Sequence, residues 1–154
     1  MRSDSVPARS TPRPDLGPGR NVVLFRLAEG GYAVDSRAVR RVQTAPAETG
    51  ATVLLDGRPW PVVPLRSLFG LPPAAGGHLV LVADADGRRG ALATDGVLAL
   101  ARLGEGDLVP LPAVYTGPER RWFAALGRLD GRVVVILDVG GVLAAAGAPF
   151  DPDR

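Results

Sequence analysis

One histidine, no cysteine and no lysine leave this 154-residue chain little with which to do covalent chemistry. The histidine, His78, follows Gly76-Gly77. A serine nucleophile beside it would have to be Ser36 or Ser67, because Ser3, Ser5 and Ser10 lie in the first ten residues. Neither sits in a Gly-x-Ser-x-Gly elbow. Asp84 and Asp86 alternate as in a calcium loop, but no bidentate glutamate follows at the right spacing and no second histidine supports a metal site. The lysine-bearing phosphate loop is absent, and the glycines fall at expected hairpin turns. The chain is therefore expected to hold no metal and no cofactor and to be no enzyme. His78 is expected to be a connector residue, and Asp84 and Asp86 turn residues.

Composition narrows the class further. The absence of cysteine excludes disulfides and fits a reducing compartment. The first twenty residues have no apolar stretch that would make a secretory signal, and no apolar run reaches the eighteen or so residues of a membrane helix. A cytoplasmic protein with no direct membrane insertion is expected. All 18 basic residues are arginine. Residues 1–20 carry four arginines and two aspartates, which is the whole net charge of +2, and the remainder is balanced. The body thus has no excess charge to steer nucleic acid.

Residues 1–20, rich in Pro, Ser and Arg, predict a disordered arm. Strands follow: Val22–Leu27 and Tyr32–Val34 form a hairpin, Ser36–Val42 a helical turn or bend, and 43–52 a loop. Val53–Leu55 and Trp60–Val63 flank Asp56-Gly57, a pair suited to positive φ. Prolines 59, 61 and 64 remove backbone donors, which predicts an edge or distorted strand. Leu65–Leu71 is a short helix. Leu79–Ala83 and Gly90–Ala93 pair over Asp86-Gly87, and Val97–Leu103 is a strand. Trp122–Leu129 and Val133–Leu137 pair over Asp130-Gly131, and Val139–Ala146 is a terminal helix. Short strands between Gly turns indicate an all-β, mainly antiparallel barrel or sandwich.

The chain also repeats itself. Asp56-Gly57-Arg58 and Asp130-Gly131-Arg132 each open an apolar strand that runs into a short helix, aligning Leu65 with Val139, Leu68 with Val142 and Phe69 with Leu143. Upstream, Tyr32–Val42 aligns with Gly90–Leu100. Two copies of one β module are expected, with a groove between lobes.

Four segments in order resemble a known family. Phe25-x-Leu27 with Tyr32-Ala-Val-Asp35-x-x-x-Val39, Gly57-Arg58-x-x-Pro61-Val-Val63-x-Leu65-Arg66, Asp95-Gly96-Val97, and Leu126-Gly127-x-Leu129 with Arg132–Asp138 together look like a CheW-like domain, the adaptor of bacterial chemotaxis arrays. The resemblance spans about residues 21–143. It implies two packed SH3-like, five-stranded β-barrel lobes and no catalytic activity. It also implies partners: the cytoplasmic tip of a methyl-accepting chemoreceptor and the regulatory domain of a CheA-type histidine kinase. The domain is set at 21–147, with lobe one about 21–71, lobe two about 79–147, strands free to cross between them, and 148–154 a tail.

The resemblance carries site residues with it. In lobe one, facing kinase or receptor, they are Val39, Arg41, Asp56, Gly57, Arg58 and Trp60. In lobe two, facing the receptor, they are Val97 and Leu100. Each apolar member has an alternative as plain core. Arg41 stands where the family usually has Glu, Asp56 where it has Arg, and Pro64 where it has Asp. The first two reversals raise a swapped Arg41–Asp56 ion pair, against independent drift on a solvated face. The loop 43–52 is also short for the family, which places the kinase contact in question. The competing function is a small β-barrel nucleic-acid binder using the Arg-rich arm. Eight aromatic residues in all give it little to stack bases on.

Overall fold

Asp56-Gly57 and Asp130-Gly131 turn as their residue types require. In a computed structural model, which describes residues 19–45, 50–74, 76–84, 86–117 and 119–147, the aspartates have φ of 53° and 52° and the glycines 77° each. Positive φ at both central positions matches the right-handed twist of the flanking strands. The strands so joined are β4 (Thr52–Leu55) with β5 (Arg58–Pro64), and β10 (Phe123–Leu129) with β11 (Arg132–Leu137). The others are β1 (Gly19–Leu27), β2 (Gly30–Asp35), β3 (Val39–Thr44), β6 (His78–Ala83), β7 (Arg89–Thr94), β8 (Gly96–Gly104) and β9 (Leu108–Pro110). Short helices α1 (Leu65–Leu68), α2 (Glu119–Trp122) and α3 (Val139–Ala145) complete the described residues.

Two sheets result, with orders β8-β1-β2-β11-β10-β9 and β3-β6-β7-β5-β4. Five positions of the first are the repeat equivalents of the second. Each copy gives its first two strands to one sheet and its next strands to the other, and the second copy does the same with the sheets exchanged. The registers agree residue by residue. Ile136 pairs with Ala33 in the parallel β11–β2 contact and Val62 with Ala91 in the parallel β5–β7 contact; by the sequence repeat these are the same pair. The bulged residues also correspond, Arg40 opposite β6 and Leu98 opposite β1. Each sheet takes strands from both sides of the connector at residues 71–79, so strands do cross between the two halves of the sequence.

The reason lies in strands apolar on both faces. In β1, Val22 and Leu24 enter a cluster inside the six-stranded sheet with Leu103, Val134 and Ile136. Val23, Phe25 and Leu27 enter a central cluster. In β6, Leu79, Leu81 and Ala83 join Trp60 and Ala91 inside the five-stranded sheet, and Val80 and Val82 turn to the same central cluster. A continuous apolar run is the signature of a strand covered on both faces. Six of the eight aromatic residues line up across the centre: Phe25, Tyr32, Phe69, Trp122, Phe123 and Tyr115, with centroids 5.4–6.5 Å apart.

Several local expectations change. Ser36–Ala38 is one turn of 3₁₀ helix, and Val39–Thr44 is a strand. Between β8 and α2, where no element is expected, Leu108–Pro110 forms β9, which gives one sheet a sixth strand. Gly19 and Arg20, assigned to the arm, pair with β8; residues 1–18 and the tail 148–154 lie outside the described residues. His78 is no linker residue: it opens β6, and its Nδ1 accepts the Val97 N–H at 3.2 Å. The proline-rich β5 is interior, between β7 and β4. It tolerates its prolines by changing neighbours, with 58–61 paired to β4 and 62–64 to β7. The Val62 N–H donates to Ala51 on the β4 side, so by strand periodicity Pro59 and Pro61 face the other way, where no ladder hydrogen bond is required.

Because strands are exchanged, the sheets should unfold together. In the single-tryptophan variants Trp122→Phe and Trp60→Phe, fluorescence reports the five-stranded interior and the central cluster respectively. Each variant's fluorescence midpoint in urea should coincide with its far-ultraviolet circular dichroism midpoint. Phe25→Ala should destabilise the whole by about 3–5 kcal/mol. Separate midpoints would mean independently folding lobes.

Candidate protein-docking site

The five-stranded sheet curls until its edge strands β3 and β4 flank one groove. The groove has a volume of about 490 Å³ and is lined by Arg40, Arg41, Leu55, Asp56, Arg58, Trp60 and Arg89. Four of the sequence-selected residues thus meet: Arg41, Asp56, Arg58 and Trp60. Gly57 sits at the turn tip above them, with open space where a Cβ would point. Arg41 and Asp56 form no ion pair with each other, because they stand on opposite edges with the groove between. The expectation of a swapped pair is therefore corrected to a shared groove.

Trp60 belongs to the sheet interior and is 6% exposed. Its Nε1 is buried and donates to no acceptor among the described residues. Leaving such a donor unpaired costs about 1–3 kcal/mol. The Arg89 guanidinium lies 5.8 Å from the indole centroid, and its Nε donates to the Pro59 carbonyl at 3.1 Å.

The remaining selected residues lie elsewhere. Val39 and Val97, equivalent in the repeat, are half-buried against the central cluster. Leu100 is 76% exposed on β8, the edge strand of the six-stranded sheet, and Leu98 beside it is 59% exposed. Their counterpart on β3, Val42, is 39% exposed. An exposed apolar pair on an edge strand is a ready contact for another protein.

Behind these surfaces one carboxylate ties three segments. Asp95, in the crossing from β7 to β8, accepts from Arg66 Nε at 2.8 Å and Arg66 Nη2 at 2.6 Å, and from the backbone N–H of Ala28 at 2.6 Å. Ala28 holds a φ of 53° at the β1–β2 turn. Arg66 Nη1 also donates to the Pro72 carbonyl at 2.7 Å. The Arg66 hydrogen bonds hold the Asp95 carboxyl below its ordinary range, more than burial opposes them. The repeat equivalent of Arg66 is Gly140, so only one of the two sheet junctions carries this clamp. The other is a groove of about 420 Å³ between Asp35, Arg40, Asp84 and Val139. There Asp84 keeps its turn role, its Oδ1 accepting from the N–H groups of Asp86 and Arg88.

A model of the CheW-like domain matches residues 21–147. The chain belongs to the CheW-like domain family. It is 24% identical over 135 residues to the chemotaxis protein CheW of Rhizobium meliloti (strain 1021), covering 80% of this chain and 87% of that one. Its fold is similar to that of the scaffolding protein TtCheW from Thermoanaerobacter tengcongensis, with a TM-score of 0.65 and 24% identity over 79% of this chain and 90% of that one. A CheW-like chain is an adaptor of chemotaxis signalling, so the groove and the β8 pair are its candidate docking surfaces.

Sequence reasoning missed Arg40, Leu55 and Arg89 in the groove and Leu98 beside Leu100. Both bulges reset the two-residue alternation, so Leu98, Ala99 and Leu100 are all exposed where a regular strand would hide one. Arg66 and Asp95 fell within matched motifs, but no local pattern joins residues from different strand crossings.

The Asp95 carboxyl has a lowered folded value, so its contribution is present above the ordinary carboxylate value of 3.8 and is lost as pH falls below it. Asp95→Asn should lower the melting temperature at pH 7 by roughly 3–8 °C. Between pH 5 and about pH 2 its melting temperature should fall less steeply than the wild type's. Parallel pH profiles would remove Asp95 from that role.

Proposed function

We propose that this chain is a non-catalytic cytoplasmic scaffold that joins a chemoreceptor tip to the regulatory domain of a CheA-type histidine kinase. The observation that carries the reading is two unlike surfaces on one exchanged body. One is the arginine-lined groove on the five-stranded sheet. The other is the exposed Leu98–Leu100 pair at the edge of the six-stranded sheet. The groove is assigned to the kinase and the β8 edge to the receptor. Val39 and Val97, packed on the central cluster, set the shape beneath each surface and do not lead the contact.

His78 Nδ1 is engaged by a backbone N–H, and no group of three or more His, Cys, Asp or Glu side chains suited to a metal occurs among the described residues. No described helix is long and apolar enough to cross a membrane. Nucleic-acid binding is disfavoured because no aromatic side chain among the described residues is exposed, and stacking platforms need open rings.

Calorimetric titrations of the full chain with the kinase regulatory domain and with a receptor-tip fragment from the same genome test the reading. Micromolar binding to both is expected. Leu100→Asp should weaken receptor-tip binding tenfold or more, about 1.4 kcal/mol, and leave kinase binding unchanged. Failure of the folded protein to bind either partner would overturn the proposal.

A further inference from the structure

Resting on the reading of the groove as a docking surface, we infer that it takes a single extended, apolar segment of the partner, which adds to the five-stranded sheet as a sixth strand antiparallel to β4. The internal repeat supplies the template. β10 and β4 are equivalent strands, each leading through an Asp-Gly turn into β11 and β5 respectively. β10 is covered on its other side by β9, with Ala125 opposite Pro110, Leu126 opposite Val109 and Gly127 opposite Leu108. β4 ends its sheet with that side open. The second copy draws β9 from residues 105–122; the first has only residues 45–51 between β3 and β4.

Equivalent backbone groups mark what is missing. The Val62 N–H donates to the Ala51 carbonyl, and Leu55 stands opposite Arg58 across the two-residue turn. Ala51, Val53 and Leu55 therefore turn their N–H and C=O groups to β5, and Thr52 and Leu54 turn theirs away. On that side the backbone groups of Thr52 and Leu54 meet no partner among the described residues. Thr52 is the counterpart of Leu126, whose backbone faces β9. Leu126 is half-buried there, and Thr52 is exposed. Leu54 is 70% exposed, where β10 carries Arg128. An open strand edge beside a large exposed apolar side chain is a template for strand addition.

The geometry also selects the occupant. A helix satisfies its own backbone and would leave Thr52 and Leu54 unpaired. The edge of a second copy would arrive with its sheet behind it, and β3, with Arg40 and Arg41, forms the facing wall of the groove. A lone strand enters such a gap. Side chains directly opposite one another share a face. The occupant's residue opposite Val53 would join it against the five-stranded interior, as Leu108 opposite Gly127 packs inside the other sheet. The residue opposite Leu54 would cover its exposed side chain. Both residues are therefore apolar.

Backbone exchange tests this directly. The nitrogen-15-labelled full chain is mixed with the unlabelled kinase regulatory domain, and amide hydrogen exchange is followed. The Thr52 and Leu54 amides should exchange at least tenfold more slowly in the complex, and the Leu126 amide, already paired with β9, should change little. Thr52→Pro removes an outward donor at the first residue of β4, where no bond to β5 is lost, and should weaken binding at least tenfold. Thr52→Val keeps the N–H and should bind as wild type. The exchange result needs no variant, so it stands even if Thr52→Pro fails to fold. The inference is overturned if binding leaves both amides unprotected, or if folded Thr52→Pro binds as wild type; side chains alone would then make the contact, and the docking reading would stand. It is also overturned if both amides are already protected in the free chain. That would mean that the chain's own segment covers the edge or, where dilution restores exchange, that a second copy does. If the kinase domain does not bind, the receptor-tip fragment is mixed with the same labelled chain. Protection of the two amides then keeps the added strand and reassigns the partner, and no protection overturns the inference together with the docking reading.

Discussion

The structure depends on one constraint: β1 and β6 are apolar on both faces, so neither can end a sandwich. Each must be covered by its own sheet's interior on one side and by the opposite sheet on the other. A duplicated module with separate lobes would leave the Val23–Phe25–Leu27 face and the Val80–Val82 face exposed. Exchanging strands buries both against a common centre. The parallel contacts β2–β11 and β5–β7 fasten the exchange, since each joins a strand of one copy to a strand of the other. The aromatic row from Phe25 to Tyr115 then fills the seam.

A fold bound so tightly at its centre leaves function to its periphery. The sheet edges are where the two copies have diverged most. Leu98 and Leu100 on β8 correspond to Arg40 and Val42 on β3, so equivalent edges present an apolar surface on one sheet and a charged groove on the other. The junctions diverge as well: Arg66 seals one through Asp95, and Gly140 leaves the other open. An adaptor needs unlike faces held at a fixed separation. A duplication that keeps its core and changes its edges supplies them.

Much of this was legible in the residues. The Asp-Gly turns, the short strands and the internal repeat each followed from local chemistry. The destination of each strand did not. Val22–Phe25 reads the same whether it belongs to its own lobe or to the other, because periodicity marks which faces are covered and not by what. Prolines 59, 61 and 64 argued for an edge or distorted strand; β5 lies inside its sheet and is irregular, changing neighbours at residue 62. Arg41, Asp56, Arg58 and Trp60 were found together because the turn holds most of them close in sequence. Arg89 arrives from another strand and carried no signal of its own.

The central claim is that one rigid body presents two docking surfaces that do not compete. Analytical ultracentrifugation of the full chain with a receptor-tip fragment and the kinase regulatory domain, all above their dissociation constants, tests it most directly. The account predicts a ternary species containing all three proteins, with each partner's affinity little changed by the other. Two binary complexes that displace one another, with no ternary boundary, would contradict it.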